Sequence, residues 1–202
     1  TCLSSTFSKA KLCCMNLSVL SAVAMGFALS ATCGFRVFIP LLAASVASRS
    51  GLHLLPENMA WVGSWPALIC FGTAAAAEVA AYYIPFVDNL LDTIATPLSV
   101  GAGTVVAASF LPLGEQAPML RWIAALIAGG APAGVIQMGT GVLRLLSSKA
   151  TVGTGNAVVA TSENAAAISG SVLSFFIPFI MAGIALLLLL WLLFRFGKTL
   201  FR

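Results

Sequence analysis

Apolar stretches long enough to cross a lipid bilayer recur along this chain. The clearest are residues 17–47, Pro66–Ile84, Met119–Leu146 and Val172–Phe194. A transmembrane helix needs only about 20 consecutive apolar residues. Just 8% of the chain is charged, against roughly a quarter of a soluble globular protein. The sequence therefore predicts an all-α fold, a polytopic transmembrane helical bundle with about four to six crossings, whose first partner is the lipid bilayer.

Charges near the two ends of the chain predict its orientation. Residues 1–14 are polar and carry Lys9 and Lys11, and we expect them to be an extension ahead of a single integral membrane domain over residues 15–202. Lysine and arginine beside membrane helices favour the cytoplasmic side. We therefore expect both termini in the cytoplasm and an even number of crossings. The net charge of +4 follows from the same rule and indicates no nucleic-acid partner. The cations behind the last apolar run are Arg195, Lys198 and Arg202.

Glycine and proline interrupt the longest runs and predict broken or kinked helices. Residues 17–47 exceed the length of one crossing, and the sequence Cys33-Gly34-Phe35-Arg36 and Pro40 divide them. A helix break at Arg36 accounts for both the excess length and the charge. The run Met119–Leu146 is interrupted in the same way by residues 129–132, Gly-Gly-Ala-Pro, which predict two half-length pieces or a kink.

Two further boundaries follow from the pattern. Asp88–Thr96 reads as a short amphipathic helix, and Pro97–Leu113 as a separate, shorter span. Val172–Phe194 is predicted to be one unbroken span of membrane length.

Ionisable residues inside or against the apolar runs are the strongest functional signal. A charge at mid-bilayer depth costs roughly 2.5–3.5 kcal/mol on insertion scales, so it faces the bundle interior or a water-filled cavity. We expect Arg36 to pair with Glu78 or Glu163. Two interpretations stay open: a proton or ion relay or a clamp for a charged solute, and a buried network that fixes how the broken helix docks. The candidates are Arg36, Glu78, Asp88, Asp92 and Glu163.

A second group of candidates is polar and uncharged. Asn156 and Asn164 belong to a polar cluster between apolar stretches, which could line a cavity or satisfy broken backbone. Asn89 with Asp88 suits the start of a helix. The chain has a single His and five Cys without C-x-x-C spacing, so we expect no metal site and no cofactor. No nucleophile–base pair is visible, and we expect no enzymatic activity.

Several separated motifs resemble the DUF4126 family of multi-pass membrane proteins. Gly34–Leu42 is similar to the family's G-x-R-x-F-x-P-L-L signature, and Glu78–Pro97 resembles its central motif. The other matching stretches are Arg121-Trp122 with Ala128-Gly129-Gly130 behind it, and Asn156–Asn164, where the family often has N-P-x-x-A/S-x-x-E. The similarity covers roughly Met15 to Arg202.

The resemblance implies a bacterial inner-membrane location and no particular activity, because the function of the family is unknown. Two departures are visible: Ala157 replaces a proline, and Tyr82-Tyr83 replaces a charged Asp-Lys pair of some relatives. The second departure removes a salt-bridged role from these two positions.

Two functions from different classes remain. In the first, which we favour narrowly here, the protein is a small transporter or channel whose carboxylates line a polar pathway for protons, ions or a small solute. In the second it is a non-catalytic membrane scaffold or accessory subunit, with a homo-oligomeric or membrane-complex partner. A transporter predicts charged side chains around a water-accessible cavity, whereas a scaffold predicts charges that are paired and dry, and an exposed helix face of small residues.

Overall fold

The computed structural model describes residues 2–51, 57–111, 118–151 and 155–200. Side chains in these ranges are described except at positions 2–16, 57–58, 85–90, 92, 150–151, 196–197 and 199–200. Every regular element in the described ranges is helical, which confirms the all-α class. The helices are α1 (Cys2–Thr32), α2 (Phe38–Arg49), a 3-10 helix (Glu57–Gly63), α3 (Trp65–Ala81), α4 (Pro85–Phe110), α5 (Pro118–Ala125), a π-helical segment (Leu126–Gly130), α6 (Ala131–Thr151), α7 (Asn156–Phe176) and α8 (Pro178–Leu200).

Three stretches of helix in the described part of the chain are long and apolar enough to cross a membrane: Thr93–Phe110, Pro118–Lys149 and Pro178–Arg195. The shorter apolar helices are Leu17–Thr32, Phe38–Arg49 and Trp65–Ala81. These lengths and compositions suggest a membrane protein. The number of crossings, the orientation and the single-domain boundary at residue 15 stay predictions.

The predicted break near Arg36 is confirmed. Helix α1 ends at Thr32, a turn follows, and α2 begins at Phe38. Gly34 lies in this turn against α6, where a Cβ atom would come within 2.6 Å of the carbonyl oxygen of Ala133. Because only glycine lets the turn approach α6 this closely, the break is fixed in position by packing. Arg36 thus enters the interior of the bundle from a turn.

Two predictions of helix boundaries are wrong, and both concern a proline, Pro97 and Pro178. Helix α4 begins at Pro85 and continues through Pro97, so the separate elements predicted over Asp88–Thr96 and Pro97–Leu113 are wrong. A proline inside a helix removes one hydrogen bond and kinks the helix, but flanking turns can continue it. The unbroken span predicted over Val172–Phe194 is also wrong, because the chain breaks at Ile177 before Pro178, where the preceding residue disfavours helical geometry.

The glycines of the Met119–Leu146 run produce a π-helical segment rather than two separate pieces. This segment joins α5 to α6 and packs directly on α4. A Cβ atom at Gly103 of α4 would lie 2.7 Å from the carbonyl oxygen of Gly129. Ser30 of α1 donates a hydrogen bond to the Gly103 carbonyl oxygen at 2.9 Å. Small residues therefore bring three helices into backbone contact at the centre of the bundle.

The core lies around the C-terminal half of α1, the turn that follows it and α2. Its buried side chains come from α1, the turn, α2, α4 and α6: Met25, Leu29, Cys33, Val37, Leu41, Ala44, Ala102, Val106, Phe110 and Ala133. This apolar core surrounds the turn that carries Arg36, and the charged side chains described below lie against it.

Candidate functional site

Arg36 is the centre of the candidate site. Its side chain is fully buried, and each part of the guanidinium has an acceptor. Nε donates to Oδ1 of Asn164, and Nη2 donates to the carbonyl oxygen of Ala160 at 3.2 Å. Nη1 forms an ion pair with Oε2 of Glu163 at 3.1 Å. All three partners lie on α7, so Arg36 ties the break between α1 and α2 to that helix.

Glu163 also binds a second arginine. Nε of Arg144, in α6, donates to Oε1 of Glu163 at 3.2 Å, and Nη2 of Arg144 contacts Oε2. The side chains of Arg144 and Glu163 are 2% and 4% exposed. One carboxylate is therefore shared by two buried guanidinium groups from different helices. We name Arg36, Arg144, Glu163 and Asn164 the arginine cluster.

Of the predicted carboxylate partners for Arg36, the structure pairs it with Glu163. Arg144 was missed by the sequence analysis. It lies near the polar end of an apolar run, where a cation is typical of the membrane interface. The sequence feature that could have identified Arg144 is its position inside the apolar run Met119–Leu146 rather than after the end of that run.

Tyr82 completes the surroundings of the two arginines. The Cζ atoms of Arg36 and Arg144 lie 3.8 Å and 4.0 Å from the centre of its ring. Such cation–π contacts gain strength when they are desolvated, and Tyr82 is buried. The neighbouring Tyr83 hydroxyl accepts from Nδ2 of Asn164 at 3.4 Å. Two adjacent tyrosines thus contact the arginine cluster, Tyr82 through its ring and Tyr83 through its hydroxyl.

Glu78 binds backbone amides. Its Oε1 accepts from the amide of Val37 at 2.8 Å, and its Oε2 accepts from the amide of Phe38 at 3.0 Å. These amides are at the start of α2, where helix geometry leaves N–H groups without partners in the helix. The carboxylate, supplied by α3, caps α2 and complements its dipole. Together with Glu163 it balances the charges of Arg36 and Arg144, two positive and two negative.

A small cavity borders the capping carboxylate. Its volume is about 310 Å³, and α2, α3 and α4 form its walls. Glu78 and Tyr82 are the polar side chains that line it, whereas Arg36, Arg144 and Glu163 do not. The remaining wall is apolar. The arginine cluster is thus separated from this cavity, and of the two carboxylates whose side chains are described, Glu78 lies beside the cavity and Glu163 does not.

The other predicted site residues fall in different places. The side chains of Asp88, Asn89 and Asp92 lie outside the described residues, so their predicted roles in a pathway or charge network stay predictions. The helix start predicted at Asp88 and Asn89 is wrong, because α4 begins at Pro85. Asn156 accepts from the Ser148 hydroxyl at 3.0 Å and links the beginning of α7 to α6, away from the arginine cluster. Asn164, from the same predicted polar group, is part of that cluster.

Arg121 is a further buried cation that the sequence analysis did not place at a site. Its Nε and Nη2 donate to the carbonyl oxygen of Ala108 at 2.9 Å and 2.6 Å. This carbonyl belongs to the last turn of α4, where helix geometry leaves acceptors without partners. Arg121 therefore stabilises the end of α4, as Glu78 stabilises the start of α2. Within the described ranges, no group of three or more His, Cys, Asp or Glu side chains is placed to hold a metal ion.

These features define a class: an all-α protein with membrane-length apolar helices, in which a buried charge cluster holds a broken helix in place. Comparison with known families is more specific. Residues 23–198 match the DUF4126 family, described as a domain of unknown function. The chain therefore belongs to the DUF4126 family, as the motifs predicted. No curated protein and no solved structure matches the chain.

Proposed function

We propose that this protein is a non-transporting, non-catalytic membrane scaffold or accessory subunit that packs against a helix of another membrane protein. The observation that carries the proposal is the pairing of the arginine cluster. Arg36 and Arg144 share Glu163 with almost no exposed surface, and every described charge at the break has a protein partner. Charges in a transport pathway need contact with water or solute, whereas these are enclosed by protein.

The exposed face of α3 provides a second argument. Small, exposed side chains recur along this helix at the spacing of successive turns. Such small residues let two membrane helices approach closely, because backbone and side-chain contacts replace bulky packing. A partner helix therefore fits here better than on the exposed surface of α8, which carries large side chains. The exposed small residues of α3 are Cys70, Thr73, Ala76, Ala77 and Ala80.

Transport remains the second candidate, and one observation favours it. Glu78 and Tyr82 line the 310 Å³ cavity together with Leu91 and Ala95 of α4. Asp88 and Asp92 are each one helical turn from one of these two α4 residues in the sequence. A carboxylate beside a cavity could bind a cation or exchange a proton. A transport pathway through this cavity would include Glu78, and the arginine cluster would have a structural role.

Flux measurements in proteoliposomes separate the two candidates. We expect no proton, sodium or potassium flux above that of empty liposomes under a pH or cation gradient. Flux in the wild type that falls in Glu78→Gln and Asp88→Asn, with both variants folded, would instead assign transport. Folding is checked by size-exclusion profiles and by circular dichroism.

The partner surface is tested separately. Native membranes are solubilised mildly, and proteins that copurify with the wild type are compared with those that copurify with Thr73→Trp. The hydroxyl of Thr73 bonds only to carbonyls of its own helix among the described contacts, so the substitution disturbs the exposed face and little else. Val158→Trp, at a position that is 72% exposed on α7, is the matched control. Loss of a membrane partner from Thr73→Trp alone supports the scaffold, and identical partners in all three proteins contradict it.

A further inference from the structure

A groove between α6 and α8 is apolar along its length and ends at cations. Its volume is about 300 Å³, and its walls include Thr140, Val142, Leu146 and Trp191. At one end the groove is lined by Arg195, which is exposed. This groove ends at an exposed cation, whereas the cations of the arginine cluster are enclosed by protein.

The two helices run in the same direction, so their carboxyl ends meet. Ile136 packs with Ala185 in one apolar cluster, and a Cβ atom at Gly139 would lie 2.9 Å from Leu192. The residue that comes later in α6, Gly139, contacts the residue that comes later in α8, Leu192, so the two helices are parallel. The groove ends near the carboxyl ends of both helices, and the last turns beyond it, where backbone carbonyls favour positive charge, carry Lys149 and Lys198.

Further cations extend this end of the groove. Lys198 follows Arg195 by one turn on α8, and Lys149 follows the groove residue Leu146 by one turn on α6. Both lysines are exposed. The two carboxylates whose side chains are described, Glu78 and Glu163, are bound at the helix break and do not line the groove. This end of the groove therefore carries three exposed cations, Lys149, Arg195 and Lys198, a charge that suits an anionic ligand.

We propose that this groove binds a phospholipid with an anionic headgroup. One acyl chain lies between α6 and α8, and the headgroup phosphate is bound by Arg195 with support from Lys198. Trp191 lies at the level of the headgroup, as amphipathic rings do at membrane interfaces. Basic sites between membrane helices bind anionic headgroups by this combination of apolar groove and positive charge. The inference is independent of the proposed scaffold function.

Native mass spectrometry of the purified protein in detergent tests the proposal. The probes are phosphatidylglycerol and phosphatidylcholine with identical acyl chains, titrated separately. We expect phosphatidylglycerol to bind more tightly, and Arg195→Gln to weaken its binding about fivefold. Arg49→Gln is the matched control, because it removes an exposed arginine that stacks on Trp65, outside this groove. Equal binding of the two lipids would overturn the proposal.

A second pair of variants tests the groove itself. Val142→Trp fills the wall while it retains every cation, and Val158→Trp adds the same side chain on α7 outside the groove. We expect Val142→Trp to weaken phosphatidylglycerol binding and Val158→Trp to leave it unchanged. If Arg195→Gln weakens binding but Val142→Trp does not, the lipid is held by surface charge alone and the groove is not its site. If Arg195→Gln has no effect, the headgroup assignment is wrong.

Discussion

Replacing Glu163 by Gln removes the negative charge that Arg36 and Arg144 share. The substitution keeps the size of the side chain and one acceptor oxygen, so it changes charge more than packing. Both guanidinium groups stay buried, with Arg36 still bonded to Asn164 and Ala160. Removing one partner of a buried ion pair typically costs about 3–5 kcal/mol. We expect Glu163→Gln to lower the free energy of unfolding by an amount in this range.

The assay is reversible unfolding in mixed micelles, in which a denaturing detergent is titrated against a mild one and helix content is followed by circular dichroism. Ser162→Ala is the control. Ser162 is adjacent and exposed, and its hydroxyl bonds within α7, so we expect a change of at most about 0.5 kcal/mol. This comparison separates loss of the charge from any general effect of substitution on α7.

A double-mutant cycle makes the test specific to the shared carboxylate. In Glu163→Gln combined with Arg144→Gln, one positive and one negative charge leave together, and Arg36 keeps its hydrogen bonds to Asn164 and Ala160. We expect the double variant to be less destabilised than the sum of the two single variants by about 0.5–3 kcal/mol. Strictly additive costs, or a Glu163→Gln variant as stable as the wild type, would refute the argument that this charge cluster supports the fold.

Three other substitutions probe the packing around the break. Gly103→Ala should destabilise the protein by about 1–3 kcal/mol, because a Cβ atom there meets the backbone of the π-helical segment at 2.7 Å. Gly101→Ala, in the same helix with no heavy atom within 4 Å, should be neutral or stabilising by up to about 1 kcal/mol; equal unfolding free energies for both would contradict the close contact. Glu78→Ala should cost at least about 2 kcal/mol and speed hydrogen exchange of the first α2 amides, since two charged hydrogen bonds are lost; unchanged exchange would rule out the cap. Tyr82→Leu should destabilise more than Tyr82→Phe in the same unfolding assay, because only phenylalanine retains a ring for the two guanidinium groups.

The broken helix and its charge could be predicted because the free-energy cost of placing a charge in an apolar run can be judged from the neighbouring sequence alone. An apolar run that is too long for one crossing, divided by glycine and proline and containing Arg36, has few ways to fold in a bilayer. The cost of burying a charge likewise points to Glu78 and Glu163. These inferences need no knowledge of which helices meet.

The roles within the site depend on tertiary contacts and could not be predicted. Arg144 was not singled out from the sequence, because its role depends on α6 and α7 meeting at Glu163. Glu78 was expected to face Arg36 or a solute, and its use as a cap requires that α3 pass the start of α2. Pro97 and Pro178 are both prolines in apolar sequence, yet α4 continues through the first and the chain breaks at the second. The presence of proline alone therefore does not decide between these outcomes.

The central claim is that the arginine cluster is closed to water, and thiol labelling tests it most directly. Ala160 is 1% exposed and its carbonyl binds Arg36, so Ala160→Cys in a background without other cysteines places a small probe beside the cluster. Lys149→Cys, at an exposed helix end, is the accessible reference. In proteoliposomes with reagent on both sides, a charged methanethiosulfonate should label Lys149→Cys rapidly and leave Ala160→Cys unlabelled. Rapid labelling of Ala160→Cys in folded protein would place water at the cluster and contradict the account.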